Sequence, residues 1–389
     1  LLLSSLLPDN SISIDKRTYT ALSDVVSSVK EGARLSLTAI GRKLGEDANV
    51  IEKYCIKRVD RLLGNIQLHQ CRNQFYKTLA SHFSSQEFLP IIVDWSSVYD
   101  FSFVLLRASV AFQGRAFTLY EEVHPEGAMN NHKRHVDFLN NLKQILPSDC
   151  TPIICTDAGF KVPWFKAIEQ LDWYWLARTR GTVKCQTDKR PQWTLVDGYH
   201  HQATTKPMEL SGLRLSKQQQ WPCRGVLYKS PRPTKKKSKP VKRPNCNNYK
   251  KCSKANREPW FLVSNLPKGE FPPLALVNIY KRRMTIEEAF RDTKNEYYGL
   301  GLKRSRSQSI ERLQTLLLIA LLAQWCLYVI GKAAEMQGYH RHFQSNTITT
   351  RRVLSYCYLA KRILKTSRYE ITERMLFEAL DLLLLETKC

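Results

Sequence analysis

Acid is what this sequence is short of. Thirty-five Asp and Glu residues face 60 Lys and Arg in a chain of 389, a formal net charge of +25. That excess says little about fold, but it favours a polyanionic partner, and nucleic acid is the commonest one. Surface charge that serves solubility alone stays nearer balance. Paired cysteines are also missing. The 11 cysteines are odd in number and scattered singly, as at Cys55, Cys155, Cys326 and Cys357, which excludes a disulfide framework and suits reduced thiols. Cys246 and Cys252 have no companions at zinc-ligand spacing, so no zinc site is expected. A clean transmembrane run is lacking too. The most lipid-like segment, LQTLLLIALLAQWCLYVIG (313–331), contains Gln314 and Gln324. A membrane span usually needs about 20 clean apolar residues, so a buried core helix and no membrane partner are expected. The opening LLLSSLLPDN is too short an apolar run for a secretory signal and has no basic leader. It has no initiator Met either, so the sequence is expected to begin inside a longer reading frame, with the protein in the cytoplasm.

Hydrophobic residues at 43% and aromatics at 10% are ample for a folded protein, and the length suits two or three domains. Residues 1–85 read as helical. Within them SLTAIGRKL, a GED break at 45–47 and ANVIEKYCIKRVDRLLGN predict helix, turn, helix. The second of these helices carries Lys57, Arg58 and Arg61, which suits contact with DNA phosphates in the major groove. At 89 the texture changes to strands. LPIIVDW (89–95) ends in an acid, and FVLLRASVAFQG (103–114) and RAFTLYEEVH (115–124) form a hairpin broken at Gly114. A helix over 132–146 follows, then TPIICTDAGF (151–160), a second apolar run ending in an acid, a short helix from near Pro163, and a strand in 172–181. Strands with interposed helices predict an α/β layer architecture. Residues 182–268 hold short strands and a basic spacer, 229–254, too polar to fold alone. Three helices over 309–336, 347–364 and 371–386 close the chain, and there is no internal repeat.

One stretch breaks the economy of acid: VNIYKRRMTIEEAFRDTK, residues 277–294. Wound as one helix, it places Ile279, Ile286, Phe290 and Tyr297 on a core-facing seam. Tyr280, Arg283, Glu287, Arg291 and Lys294 fall on a basic strip beside it, with Glu288 and Asp292 pointing away from both. Taken alone the strip reads as a solvated face with ion pairs from Glu287 to Arg283 and Arg291, each worth roughly 0.2–0.5 kcal/mol. But Asp94 and Asp157 stand at the ends of two strand-like runs. Three carboxylates brought together offer the hard oxygen ligands that Mg²⁺ takes, and two such ions serve phosphodiester chemistry.

The blocks VDW, LRASVAFQGRAFTLYE, TDAGFKVPW and YKRRMTIEEAFRDTK together resemble the DDE transposases of bacterial insertion sequences. They are most similar to the cut-and-paste, hairpin-forming family that includes the transposases of composite tetracycline- and kanamycin-resistance transposons. The signature Y-x₂-R-x₃-E-x₆-K of that family matches Tyr280, Arg283, Glu287 and Lys294 with its spacing intact. The resemblance implies a ribonuclease-H-like α/β core over 86–181 and 269–330, interrupted by a β-rich insertion at 182–268. Helical regions at 1–85, which binds DNA, and 331–389 flank it. It implies Asp94, Asp157 and Glu287 as catalytic ligands of two Mg²⁺ ions, with Mn²⁺ as a substitute. Tyr280, Arg283 and Lys294, with Arg291 on the same strip, would hold phosphates near the transposon end. Trp260 would stack on a flipped base while a hairpin forms; as a residue it equally suits a core strand start. The implied partners are double-stranded DNA, both transposon ends and target, and a second copy of the chain in a synaptic homodimer. The setting is the bacterial cytoplasm, on the nucleoid. The rival readings are a related metal-dependent nuclease and a truncated or domesticated relic that binds DNA without cutting. Trp95 is expected in the core. His124, His132 and His135 are expected on the surface.

Overall fold

In the computed structural model, residues 3, 6–7, 12–84, 86–98, 102–231 and 258–388 are described. Most of the basic spacer expected at 229–254 lies outside them. The chain forms two compact units, one of Leu1–Thr151 with Met284–Cys389 and one of Pro152–Arg283. The fold is mixed α/β, with helices before and after the strands, as in a ribonuclease-H-like core.

From residue 12 on, the first unit runs through four helices, α1 (Lys16–Lys30), α2 (Leu37–Ala48), α3 (Glu52–Leu63) and α4 (Ile66–Ala80). Asp15, Ser36 and Asn65 cap three of them by accepting backbone N–H bonds from Thr18, Ala39 and Leu68. The expected break at 45–47 is helical. Gly45 lies inside α2, and the turn comes at Asn49, which adopts a left-handed φ of 51°. Gly41 is a packing residue: a Cβ there would meet the backbone of Ile56 at 2.6 Å, so the glycine lets α2 and α3 touch.

Three antiparallel strands follow, β1 (Phe88–Val98), β2 (Phe103–Phe112) and β3 (Arg115–Pro125). The β2–β3 hairpin turns at Gly114 (φ 74°), as expected. α5 (His132–Ile145) is next. The unit resumes after the second one.

The second unit begins with β4 (Thr151–Thr156), from Pro152 on, then α6 (Val162–Glu169), with proline in its first turn, and β5 (Tyr174–Thr179), parallel to β4. It continues through β6 (Lys184–Thr187), β7 (Arg190–Leu195), β8 (Met208–Leu210), β9 (Arg214–Leu215), β10 (Trp221–Pro222), β11 (Arg224–Tyr228) and β12 (Trp260–Ser264). Strands β4, β5, β12, β11 and β8 lie in that order, antiparallel after β5, and β10, β9, β6 and β7 form a separate small sheet. α7 (Pro273–Lys281) closes the unit.

Back in the first unit come α8 (Thr285–Lys294), α9 (Ile310–Met336), α10 (Tyr356–Ile363) and α11 (Glu373–Leu385). α9 is long and apolar enough to cross a membrane, but 94% of its most apolar window is buried. It is the core helix that its two glutamines suggest: Gln324 donates to Thr293 Oγ1 at 3.1 Å, and Trp325 packs on Phe117 at 4.4 Å between ring centres.

The most constrained polar group in this unit is Arg107, 1% exposed, ion-paired at 2.7 Å with the equally buried Glu121 on β3. Removing one partner of such a pair leaves an uncompensated buried charge, at a cost of about 3–5 kcal/mol. Arg107→Met is therefore expected to lower stability by about that much in urea unfolding, and Arg107→Met with Glu121→Leu to recover most of it. A double variant no more stable than the single one would show that the pair contributes through other contacts.

Candidate active site

Asp94 lies inside β1, not at its end. The strand runs on through Trp95, Ser96 and Ser97 to Val98, in register with β2 down to Phe103. The two serines continue the strand because β2 supplies their ladder partners, which a reading of apolar runs does not register. Asp94 stands directly opposite Arg107 on β2 and its Oδ1 accepts the Trp95 N–H at 2.9 Å. Behind it, the Trp95 indole donates to His135 Nε2 at 3.1 Å. His135 is buried, and burial pushes its pKa down to about 4, with His132 and His124 adding to the shift. It is thus the neutral acceptor that this bond requires. His124 is buried as well and lies 2.9 Å from Glu122, so both histidines depart from the expected surface placement. Trp95, expected in the core, is only half-buried.

The stretch 277–294 is not one helix. α7 ends at Lys281, a 3₁₀ turn takes Arg282–Met284, and α8 starts at Thr285. The turn breaks the helical phase on which the single basic strip was drawn. Tyr297 leaves the core seam and is 82% exposed, because α8 stops at Lys294 and Asn295 is extended. Asp292, expected to point away, is buried against Arg115 at 2.6 Å. Arg291 is exposed and pairs with Glu288 at 2.9 Å.

α8 is held against the three strands at two places. Thr293 Oγ1 accepts from the Arg107 guanidinium at 3.4 Å and donates to the carbonyl of Ala289, and the guanidinium sits 4.7 Å from the centre of the Phe290 ring. Lys294 donates to Ser96 Oγ at 2.6 Å and to the carbonyl of Ser97. So the helix bearing Glu287, exposed in its first turn, is fixed to the strand bearing Asp94. Arg107, Glu121 and Thr293 were not among the expected site residues. An arginine in the otherwise apolar run FVLLRASVAF is the one signal that could have pointed to them.

In the second unit, Asp157 follows the last residue of β4, at a strand end as expected. Its Oδ1 accepts the Gly159 N–H at 2.7 Å, which orients the carboxylate in its turn. Tyr280 is 5% exposed and meets Trp260 edge-on at 5.0 Å. Burial pushes the Tyr280 phenol up; Arg283 and Arg178 pull it back, while Cys155 and Asp157 add to the rise. Asp157, Tyr280, Arg283 and Trp260 are therefore gathered in one region of this unit. Trp260 is half-buried between Tyr228 and Tyr280, partly core and partly open. Of the expected helical DNA contacts in the first unit, Lys57 and Arg61 are exposed, whereas Arg58 is taken by Asp24 at 2.6 Å.

Asp94, Asp157 and Glu287 offer carboxylate oxygens only, the donor type that suits Mg²⁺ or Mn²⁺. Among the described residues, Asp197, His200 and Glu258 have donor atoms within 4.8 Å of one another, as a cation site would. There, however, Arg180 and Arg178 both pair with Glu258. Burial opposes the charge of that carboxylate, but the two guanidiniums outweigh it and hold the pKa below the usual range. A cation would have to displace them, so this group reads as an ion-pair hub.

Acids on strand and helix, in a basic mixed α/β protein, are the features of a metal-dependent enzyme that processes DNA, and the family of the chain is of that class. The chain belongs to the transposase DDE domain family, whose model matches residues 102–325, more than half of the sequence. The match takes in Asp157 and Glu287 and starts shortly after Asp94. Comparison with curated proteins gave no match.

Lys294 gives the site a measurable titration. Burial pushes its ammonium down to about 8, with Arg107 and Lys303 adding repulsion. An unfolded lysine titrates near 10.4. Below about pH 8 both states are protonated and the cost of burial is constant; between about 8 and 10 the unfolded chain holds more protons, so stability rises with pH. The urea midpoint of the wild type is expected to gain on that of Lys294→Met between about pH 7.5 and pH 9.5. Parallel profiles would mean that Lys294 ionises as an ordinary surface lysine.

Proposed function

We propose that the protein is a cut-and-paste transposase of the hairpin-forming kind, with Asp94, Asp157 and Glu287 as its catalytic carboxylates. The observation that carries this reading is the spacing of Tyr280, Arg283, Glu287 and Lys294, in a chain of the transposase DDE domain family. Two Mg²⁺ ions bound by the carboxylates would activate the attacking oxygen and stabilise the leaving oxygen of each in-line displacement. The residues of the chain do the rest. Lys294, braced on Ser96 and Ser97, presents a cation beside the strand of Asp94. Arg283 and the exposed Arg291 supply further charge for phosphates, and Trp260 offers a half-open aromatic face on which an unstacked base can rest.

In sequence, water nicks each transposon end and the released 3′-hydroxyl attacks the opposite strand, giving a hairpin. Water reopens the hairpin, and the same hydroxyl then attacks target DNA. Two copies of the chain would hold the two ends, acting on DNA in the cytoplasm. Lys57 and Arg61 on α3 would add phosphate contacts away from the chemistry.

The test is a labelled fragment carrying the end of the element, incubated with Mg²⁺ and resolved on a denaturing gel. Wild type is expected to yield nicks and then hairpins. Glu287→Gln is expected to bind as well but to cut at least about a thousandfold more slowly, the loss of several kcal/mol of transition-state stabilisation. Cutting by Glu287→Gln at the wild-type rate would remove Glu287 from the site. Nicks without hairpins would favour a nuclease, and binding without cutting by either protein would favour a DNA-binding relic.

A further inference from the structure

Just past Asp157, the second unit contains a cavity of about 490 Å³ that the reaction above does not use. Ala158, next in sequence to Asp157, forms part of its wall. Lys161, Arg178, Lys184 and Lys217 line it, and no Asp or Glu does. Among the described residues, none of the three lysines has an ion-pair partner, whereas Glu258 and Glu209 elsewhere in this unit are held by arginine. Arg178 does have one, Glu258 at 3.3 Å, yet its Nε–H is buried with no hydrogen-bond acceptor. The buried Arg178 donor is costly until an acceptor completes it, and the three exposed lysines set a positive potential at the mouth that favours an anionic one. The remainder of the wall is part polar, with Thr179, Ser216 and Gln219 among its residues, and part aromatic and aliphatic. Phe160 and Phe165 are buried, the first packed on Trp164 at 4.8 Å and the second stacked flat on Trp175 at 4.1 Å. Val162 and Leu215 add to the apolar part.

An anionic ligand with a flat apolar body satisfies both halves of this surface, and the volume falls in the range of small-molecule sites. In a protein that acts on DNA, that chemistry is a nucleotide. We propose that this cavity is a second nucleotide site, distinct from the face of Trp260, which takes one unstacked nucleotide of a DNA strand. Its phosphate meets Lys161, Lys184 and Lys217, and its base lies against Phe160 and Phe165. A base held here is one residue along the chain from Asp157, so the site selects for DNA that is already unpaired near the point of cutting, where extrusion costs least. The proposal rests on the transposase reading for its ligand, and on Asp157 as a cutting acid for its place beside the point of cutting.

The experiment uses the full chain and a 5′-phosphorylated thymidine trinucleotide with 4-thiothymidine at its centre. Irradiation is followed by mass spectrometry, and affinity is measured in parallel by competition. Crosslinks are expected on the peptides 158–166 and 215–219, and Lys217→Glu, a change at an exposed side chain, is expected to weaken binding about tenfold. Lys184→Glu serves as a second variant should the first fail to fold. Crosslinks confined to Trp260 or to the helices of the other unit, or affinities unchanged in both variants, would overturn the proposal. The end-cutting assay run on the same preparations separates the two failures. Cutting without nucleotide capture in this cavity removes the second site alone, and capture without cutting removes the transposase reading while leaving the site.

Discussion

Arg107 ties the helix of Glu287 to two neighbouring strands of the sheet through one side chain. It stands opposite Asp94 across the β1–β2 ladder, reaches Glu121 on β3, and touches Thr293 and Phe290 on α8. A fully buried guanidinium is expensive, and only complete pairing makes it tolerable. Here Glu121 supplies the counter-charge, while Thr293, which also accepts from Gln324 on the core helix α9, supplies a neutral acceptor. Because each partner comes from a different element, strand, helix and core can hardly move independently. That rigidity suits a site in which acids from separate segments must meet a metal within a few tenths of an ångström.

The surplus of base in the composition has a local expression. Two carboxylates of the second unit are spent on arginine: Glu258 on Arg178 and Arg180, Glu209 on Arg224. In the first unit Asp292 is spent on Arg115. The lysines around the cavity beyond Asp157, by contrast, keep their charge for a ligand. A protein that must grip a polyanion while holding divalent cations has to keep these two populations of charge apart. Pairing of acids with arginine, as at these positions, contributes to that separation.

Much of this was legible in the order of residues. The hairpin at Gly114, the helix from His132 and the strand-end position of Asp157 follow from alternation and turn chemistry, and all are found. The core character of α9 followed from two glutamines in an apolar run. What was not legible has a common cause, which is dependence on partners distant in sequence. Asp94 falls mid-strand because β2 continues to pair beyond it. Asp292 is buried because Arg115, 177 residues earlier, receives it. The glycine in GED is helical because α3 packs close to α2 nearby, and local turn propensity yields to that contact. The helical wheel over 277–294 failed where three residues of 3₁₀ turn shifted its phase. In the candidate site, the Tyr280, Arg283, Glu287 and Lys294 spacing was visible in one dimension, whereas the Arg107–Glu121–Thr293 support was not.

The proposed function requires that Asp94, Asp157 and Glu287 bind one set of divalent ions. The most direct measurement replaces Mg²⁺ with Fe²⁺ in the presence of ascorbate and peroxide, so that hydroxyl radicals cut the polypeptide beside the bound metal. The account predicts backbone cuts near residues 94, 157 and 287, all suppressed together by excess Mg²⁺. Cuts near 197–200 and 258 instead would place the metal at the Asp197, His200 and Glu258 cluster, and would contradict the account.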